Sequence, residues 1–479
     1  MRRLPLTVLA ASLILAVGNA SAATQTTIPA AAVKAAEQLR DKAMNDNTSY
    51  QIVESLTTEV GPRLAGSPAD QRGREWAIAK FKALGFDKVY TEQVSYPLWE
   101  RRSEHAEIVA PFPQPLALIA LGYSSGTPKG GLTAEVVRFD SLDALNKADP
   151  ASVKGKIVYV DARMERHKDG QDYAIGSAIR VGGPVIASKM GAAAFLLRSA
   201  GTDAHSRTPH TGVTGFKDPK EAIPAAALSN PDADQLTRVL AFGKPVSIKL
   251  DLDCGITGTY TGANVIGEFT GKKHPEQIVA IGGHLDSWDP GTGAIDDGAG
   301  VAIAMAAAKL IGDMPQRPDR TIRVIAFANE EMGLWGGKAY AEKHGADVAK
   351  FQLGTESDFG ARKVWRMSAS VKPEARGAIE QMAQVLAPIG VAYDAKMAGG
   401  GGSDLSQMHA KGMAALSLTQ DGTDYFDFHH TANDTLDKID PKELAQNVAV
   451  YAAFSYMAAQ ANGDFGSAAG AFANDAAED

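Results

Sequence analysis

Cysteine is almost missing from this chain: Cys254 is the only one in 479 residues. No internal disulfide can staple the fold, and a chain this long can build a sufficient core without one. Cys254 itself reads as a small buried apolar residue rather than a reactive thiol. A basic excess is missing too, with 48 Lys and Arg against 56 Asp and Glu and a formal charge of −8. With no basic face to neutralise phosphates, nucleic acid is excluded as a partner. The glycine run Gly399–Gly402 is not followed by the Lys-Ser/Thr pair of a phosphate loop, so nucleotide binding is not expected. Beyond the N-terminus no run of 18 apolar residues occurs, which leaves no span for the mature chain. Repeats of 20–50 residues are absent as well.

What is present begins with a targeting segment. Arg2-Arg3 supply the positive start, Leu4 to Val17 the apolar core, and Ala20-Ser21-Ala22 a small-residue cleavage site. Removing residues 1–22 as a signal peptide takes two arginines away, so the charge moves from −8 to −10. The lack of disulfides suits export to a bacterial periplasm, or secretion. The mature chain, 45% hydrophobic and 22% charged, has the composition of a globular protein of two or three domains.

The order of patterns predicts helices over 29–47, 49–58 and 69–84, the last closed by Gly85, and then a strand over 88–94. From about Gly122 to Asp253 short strands (134–139, 156–161, 194–198, 225–228, 246–250) alternate with helices, as in an inserted domain. A second α/β pattern resumes at Ala263, with strands over 278–283, 321–328 and 414–419 and helices over 298–311 and 441–461. The expected division is 23–121 for the first part of the main domain, 122–255 for the insert, 256–463 for the catalytic part and 464–479 for a loose tail.

Candidate chemistry collects at the ends of the apolar runs. His284 closes one strand and Asp286 lies two residues on, so in extended chain they share a face. Asp286 could orient a metal-bound imidazole, or the two could be polar residues of a turn. Asp296 and Asp297 precede an apolar helix, where they read equally as caps or as a metal bridge. Glu330 and Glu331 diverge at the end of a strand: one could bind metal and the other face its water, or the pair could open a helix from Met332. Asp358, Asp404 and the neighbouring His429 and His430 are weaker signals taken singly.

Taken together, His284-Leu285-Asp286-Ser287, Gly293-Ala294-Ile295-Asp296-Asp297-Gly298 and Asn329-Glu330-Glu331-Met332-Gly333 resemble the dizinc exopeptidases. Glu356-Ser357-Asp358 and His429-His430-Thr431-Ala432-Asn433-Asp434-Thr435 look like the carboxypeptidase Q branch, and the likeness extends to Gly61-Pro62-Arg63-Leu64. Val153-Lys154-Gly155-Lys156-Ile157-Val158 and Ser188-Lys189-Met190-Gly191-Ala192 in the insert resemble the protease-associated domain. The resemblance implies an α/β fold: a phosphorylase/hydrolase-like zinc peptidase domain, a mixed central sheet with helices on both faces, plus an inserted α+β protease-associated domain. It further implies two zinc ions per chain, with Asp296 bridging both. His284 and Asp358 would complete one site, Glu331 and His430 the other; a cis peptide is expected at Asp296–Asp297. Glu330 matches the general base, and Asp286, placed to orient the His284 imidazole, is counted with it as catalytic. His210, in a loop of the insert, is a candidate for touching substrate.

The expected protein is an exported metallo-exopeptidase cutting dipeptides or short peptides, with a hydroxide held between the metals as nucleophile. Aminopeptidase, carboxypeptidase and dipeptidase remain alternatives, since they differ in what blocks each end of the cleft. Other amide chemistry on the same scaffold, such as glutaminyl cyclisation, is a rival. So is a non-catalytic module that has lost its ligands, although every ligand is present here. A homodimer is left open.

Overall fold

The computed structural model describes residues 24–472. The expected leader, residues 1–22, lies outside the described residues. Among the described residues no helix is long and apolar enough to cross a membrane.

Three parallel strands form the heart of the molecule: His274–His284 lies between Arg320–Phe327 and Phe351–Glu356. Ala415–Gln420 continues the parallel set, and Val364–Ser370 runs antiparallel beyond it. On the other side Ser247–Phe269 pairs antiparallel with Arg320–Phe327, which makes the sheet mixed. Alternate strand residues face opposite ways. Val279, Ile281, Ile322 and Val324 enter one core with helices Ala299–Gly312 and Pro441–Gln460, whereas Ile278, Ala280, Ile325 and Phe327 enter another with Tyr340 and Met408. Helices therefore cover both faces, which explains why these strands read as continuous apolar runs. Ala299–Gly312 is almost wholly buried, and its small residues let it lie close between the sheet and its neighbours.

Local signals place most helices within a few residues of expectation. Ser67 caps Pro68–Ala83 by accepting from the Asp70 amide, and Gly85 follows at φ +83° in the left-handed region a helix end favours.

Four expectations need correction. Strand 88–94 is the start of Lys88–Ala110, and 246–250 the start of Ser247–Phe269; the two pair antiparallel along nearly their full length. The Gly-rich stretch Gly255–Gly262 takes one register shift, opposite Leu98 and Trp99, and the pairing continues through it. This ribbon runs from the peptidase sheet into the insert, so the boundary at 255/256 falls inside a strand. Next, the helix expected from Met332 is Trp335–His344, because the Glu330 backbone carbonyl accepts from the amides of Gly333 and Leu334 in a turn with Leu334 at φ +57°. Strands Phe351–Glu356 and Val364–Ser370 were not expected. Finally, the segment from 464 is docked over its described part: Phe465 is buried in the main core and its carbonyl accepts from the Lys372 amide.

The insert holds the parallel strands Leu132–Phe139, Ile157–Val160, Ala194–Arg198 and Ala225–Leu228, with Leu118–Ala120 antiparallel at the edge. Helices Tyr173–Lys189 and Asn230–Leu240 accompany them. Cys254 is buried with its Sγ 3.6 Å from the Ser124 hydroxyl, as expected of a packed thiol.

Candidate active site

Open α/β sheets present ligand sites at the carboxyl ends of their parallel strands. His284 is the last residue of its strand, Glu330 and Glu331 follow the next strand, and Asp358 follows the third. Asp296 comes from the turn before helix Ala299–Gly312, and the Asp296–Asp297 peptide is cis. His430, at φ +59°, arrives from the segment before the closing helix.

These side chains converge on Asp296. His284 Nε2 lies 3.1 Å from Asp296 Oδ1 and 3.3 Å from Asp358 Oδ1. On the other side, His430 Nε2 lies 3.2 Å from Asp296 Oδ2 and 2.9 Å from Glu331 Oε2. The result is two trios, His284–Asp296–Asp358 and Asp296–Glu331–His430, each with its ligand atoms within 4.8 Å of one another. Asp296 belongs to both and offers a different oxygen to each.

The surrounding chain holds this geometry from several directions. Asp434 accepts from the amides of Ala294, Ile295 and Asp296 at 2.8, 2.8 and 3.2 Å, which fixes the turn that carries Asp296. Arg63, fully buried, donates to the carbonyls of Leu285, Thr292 and Gly293. Asp297 accepts from the amides of His284 and Gly300, so capping belongs to Asp297 and leaves Asp296 free for the cluster. Asp286 behaves differently from the simple same-face expectation. Its carbonyl oxygen is 3.0 Å from His284 Nδ1, while its carboxylate, 3.7 Å from that nitrogen, accepts from the Glu330 and Glu331 amides. One residue thus orients the imidazole and the glutamate pair together. Ser403 donates to Asp358, and Trp288 Nε1 donates to Glu331 Oε2 at 2.6 Å. Asp404 accepts from the Gly337 amide, and its own amide donates to Glu356, so it braces the loops below the cluster.

Electrostatically the cluster has too many carboxylates for its cations. Burial, then the charge of Asp296, pushes Glu331 up to about 7; burial and Asp296 do the same to Asp434. Burial also holds Glu330 well above the usual carboxylate range, against the pull of His284. Burial would depress His284 and His430, but Asp358 and Glu331 respectively hold them well above an ordinary histidine. Asp296 Oδ2 and Glu331 Oε1 are buried without a hydrogen-bond partner. Orphaned acceptors, excess negative charge and a nitrogen-and-oxygen donor set are what a divalent cation would satisfy.

All five expected ligands meet here, and Glu330 lines the adjoining cavity of about 710 Å³. His210 also arrives: its Nε2 is 2.9 Å from His429 Nδ1, while His429 Nε2 is 3.3 Å from Asp296 Oδ2. Sequence reasoning gave no role to Arg63, Trp288, Asp434, Tyr173 or Arg180. Arg63 and Asp434 sit in motifs that carry the family likeness, a signal that could have drawn attention to them; the others carry no local signal.

The model of peptidase family M28 matches residues 264–455. Bovine carboxypeptidase Q (Bos taurus) is 35% identical over 413 residues, covering 86% of this chain and 85% of that protein. A peptidase M28 precursor from Shewanella amazonensis SB2B, known from a crystal structure, superposes with a TM-score of 0.87 at 50% identity, covering 91% of this chain and 98% of the other. A zinc aminopeptidase from Bacillus subtilis shares the fold, with a TM-score of 0.62 at 21% identity over 85% of this chain and 94% of the other. With its three strand ends converging on one shared aspartate, and likeness over most of its length, the chain belongs to peptidase family M28.

Proposed function

We propose that this protein is a zinc-dependent exopeptidase that hydrolyses dipeptides or short peptides and holds two zinc ions per chain. The observation that carries the reading is the position of Asp296, whose two oxygens face two separate trios of nitrogen and oxygen donors. His284 and Asp358 would hold one ion with Asp296, and Glu331 and His430 the other. When bound, such ions lower the pKa of water towards neutrality and polarise a carbonyl oxygen.

The remaining work falls to the chain. Glu330 reaches the cavity with its backbone anchored on Asp286. It takes a proton from the attacking water as the new C–O bond forms, and delivers that proton to the leaving amine as the C–N bond breaks. Asp286 keeps Glu330, Glu331 and His284 in register. The insert, read as a protease-associated unit over 122–255, supplies Tyr173, Arg180 and Val213 to the cavity wall, which favours short substrates enclosed between the two units.

Two measurements test this. Elemental analysis of purified protein should find two zinc ions per chain, falling to one or none in His284→Ala. A panel of free, N-blocked and C-blocked dipeptides should show hydrolysis of the free set. Equal cleavage of both blocked sets would rule out a strict dipeptidase, and no cleavage of any set would end the exopeptidase reading.

A further inference from the structure

Two neighbouring histidines, His429 and His430, line the catalytic cavity, and both have a ring nitrogen near Asp296. His429 Nε2 lies 3.3 Å and His430 Nε2 3.2 Å from the same oxygen, Asp296 Oδ2. Their rings stack with centroids 3.6 Å apart. On distance alone either could bind a cation there. What separates them is the other ring nitrogen, which in both cases meets the insert.

His210-Thr211 of the insert face His429-His430 residue for residue, and all four are buried. The Thr211 amide donates to the His430 carbonyl at 3.1 Å, and the Thr211 carbonyl lies 3.3 Å from His430 Nδ1. A carbonyl only accepts, so His430 carries its proton at Nδ1 and leaves a bare lone pair at Nε2. His429 Nδ1 instead meets His210 Nε2 at 2.9 Å. Of two neutral imidazoles in contact, one donates and the other accepts. Were His429 the donor, its Nε2 lone pair would face the Asp296 carboxylate, and His210 would hold an N–H at Nδ1, which is buried without a partner. With His210 as the donor, His429 carries its proton at Nε2, so an N–H stands beside the carboxylate and only a lone pair is left in the wall. The His210 amide donates to the Ser199 hydroxyl at 2.8 Å, and the Tyr173 ring packs edge-on against His210 and His429, which holds the pair in place.

We propose that His210 is a positioning residue that decides which of the two histidines binds zinc. A metal takes a ring nitrogen that carries no proton, and the partner of the other nitrogen sets which one that is. Thr211 frees Nε2 of His430, while His210 blocks Nε2 of His429 with a proton and keeps it out of the ligand set. The insert thus sorts two adjacent imidazoles that the peptidase part presents together. The proposal rests on the two-zinc reading and acts through His429, with His210 touching neither ion nor substrate.

The test counts zinc by elemental analysis and measures its affinity by chelator competition on the full chain. His430→Ala should drop the content from two ions to one, because His429 stays blocked. His210→Phe keeps a ring against Tyr173 but removes the donor, so adding it to His430→Ala should restore the second ion through His429, with affinity at least about 10-fold above that of His430→Ala alone. Damage to packing would only lower that affinity further. His210→Met reads the same pair of chains should the phenylalanine variant fail to fold. A double variant that still holds one ion, or His430→Ala that keeps both at native affinity, would overturn the proposal alone. So would a third ion in the wild type that is lost in His210→Phe, since the trio His210–His429–His430 would then be a metal site of its own. Fewer than two ions in the wild type would overturn the two-zinc reading and this proposal with it.

Discussion

At the scale of single residues, the adjacent Glu330 and Glu331 separate into two environments. Both line the cavity, but Glu331 is also held by His430 and Trp288. Glu330→Gln should keep the zinc content and lower kcat by about 10²- to 10⁴-fold, the range for a lost general base; near-native turnover would sink the assignment. Asp434 holds three successive amides of the turn that carries Asp296. Asp434→Asn places an amide group against those donors, so zinc affinity should weaken by about 10- to 100-fold in a chelator competition. An unchanged affinity would mean the turn needs no such anchor. The two histidines and the carboxylates of the cluster were legible in the sequence as candidates because they sit in the motifs that carry the family likeness. Asp434 was legible only as part of a motif, since the amides it holds lie far earlier in the chain.

At the scale of elements, parallel strands and helices were readable from apolar runs, and the strand carrying Asp358 was not. Phe351–Glu356 is short and ends in polar residues that a sequence reader takes for a loop. The long ribbon Lys88–Ala110 with Ser247–Phe269 was hidden for a related reason: its glycines signal turns, and only pairing over distant sequence shows them to be strand. The insert has its own polar anchor, in which Arg198 Nε donates to Asp161 at 2.6 Å. Burial alone would raise Asp161; the Thr237 hydroxyl and Arg198 hold it below the usual carboxylate range. Its folded pKa therefore lies under the unfolded value of about 3.9. The pair stabilises the fold above that pH, and the contribution is lost as pH falls through the folded value. Asp161→Asn should cost about 3 kcal/mol at pH 7, and the gap to wild type should close below the folded pKa. Thermal unfolding at pH 7 and at more acid pH reads this directly, and a gap of the same size at both would reject the account.

At the scale of the whole molecule, the candidate site gathers the ends of three neighbouring strands and two distant loops, so metal binding and stability should be coupled. A bound ion that the unfolded chain holds weakly stabilises by mass action. Chelation should therefore abolish activity and lower the unfolding temperature, with both restored by zinc; an unchanged unfolding temperature on full metal loss would mean the carboxylate excess is tolerated without a cation. By itself the sequence determined the α/β class, the family and which residues are candidate ligands, because periodicity and short motifs are local properties of the chain. Only the tertiary structure decided that Asp297 caps while Asp296 faces both trios, that Asp286 serves the glutamate backbone, and that Arg180 reaches the cleft. Each of these depends on which distant amide, carbonyl or charge a side chain meets, and those meetings exist only once the chain has folded.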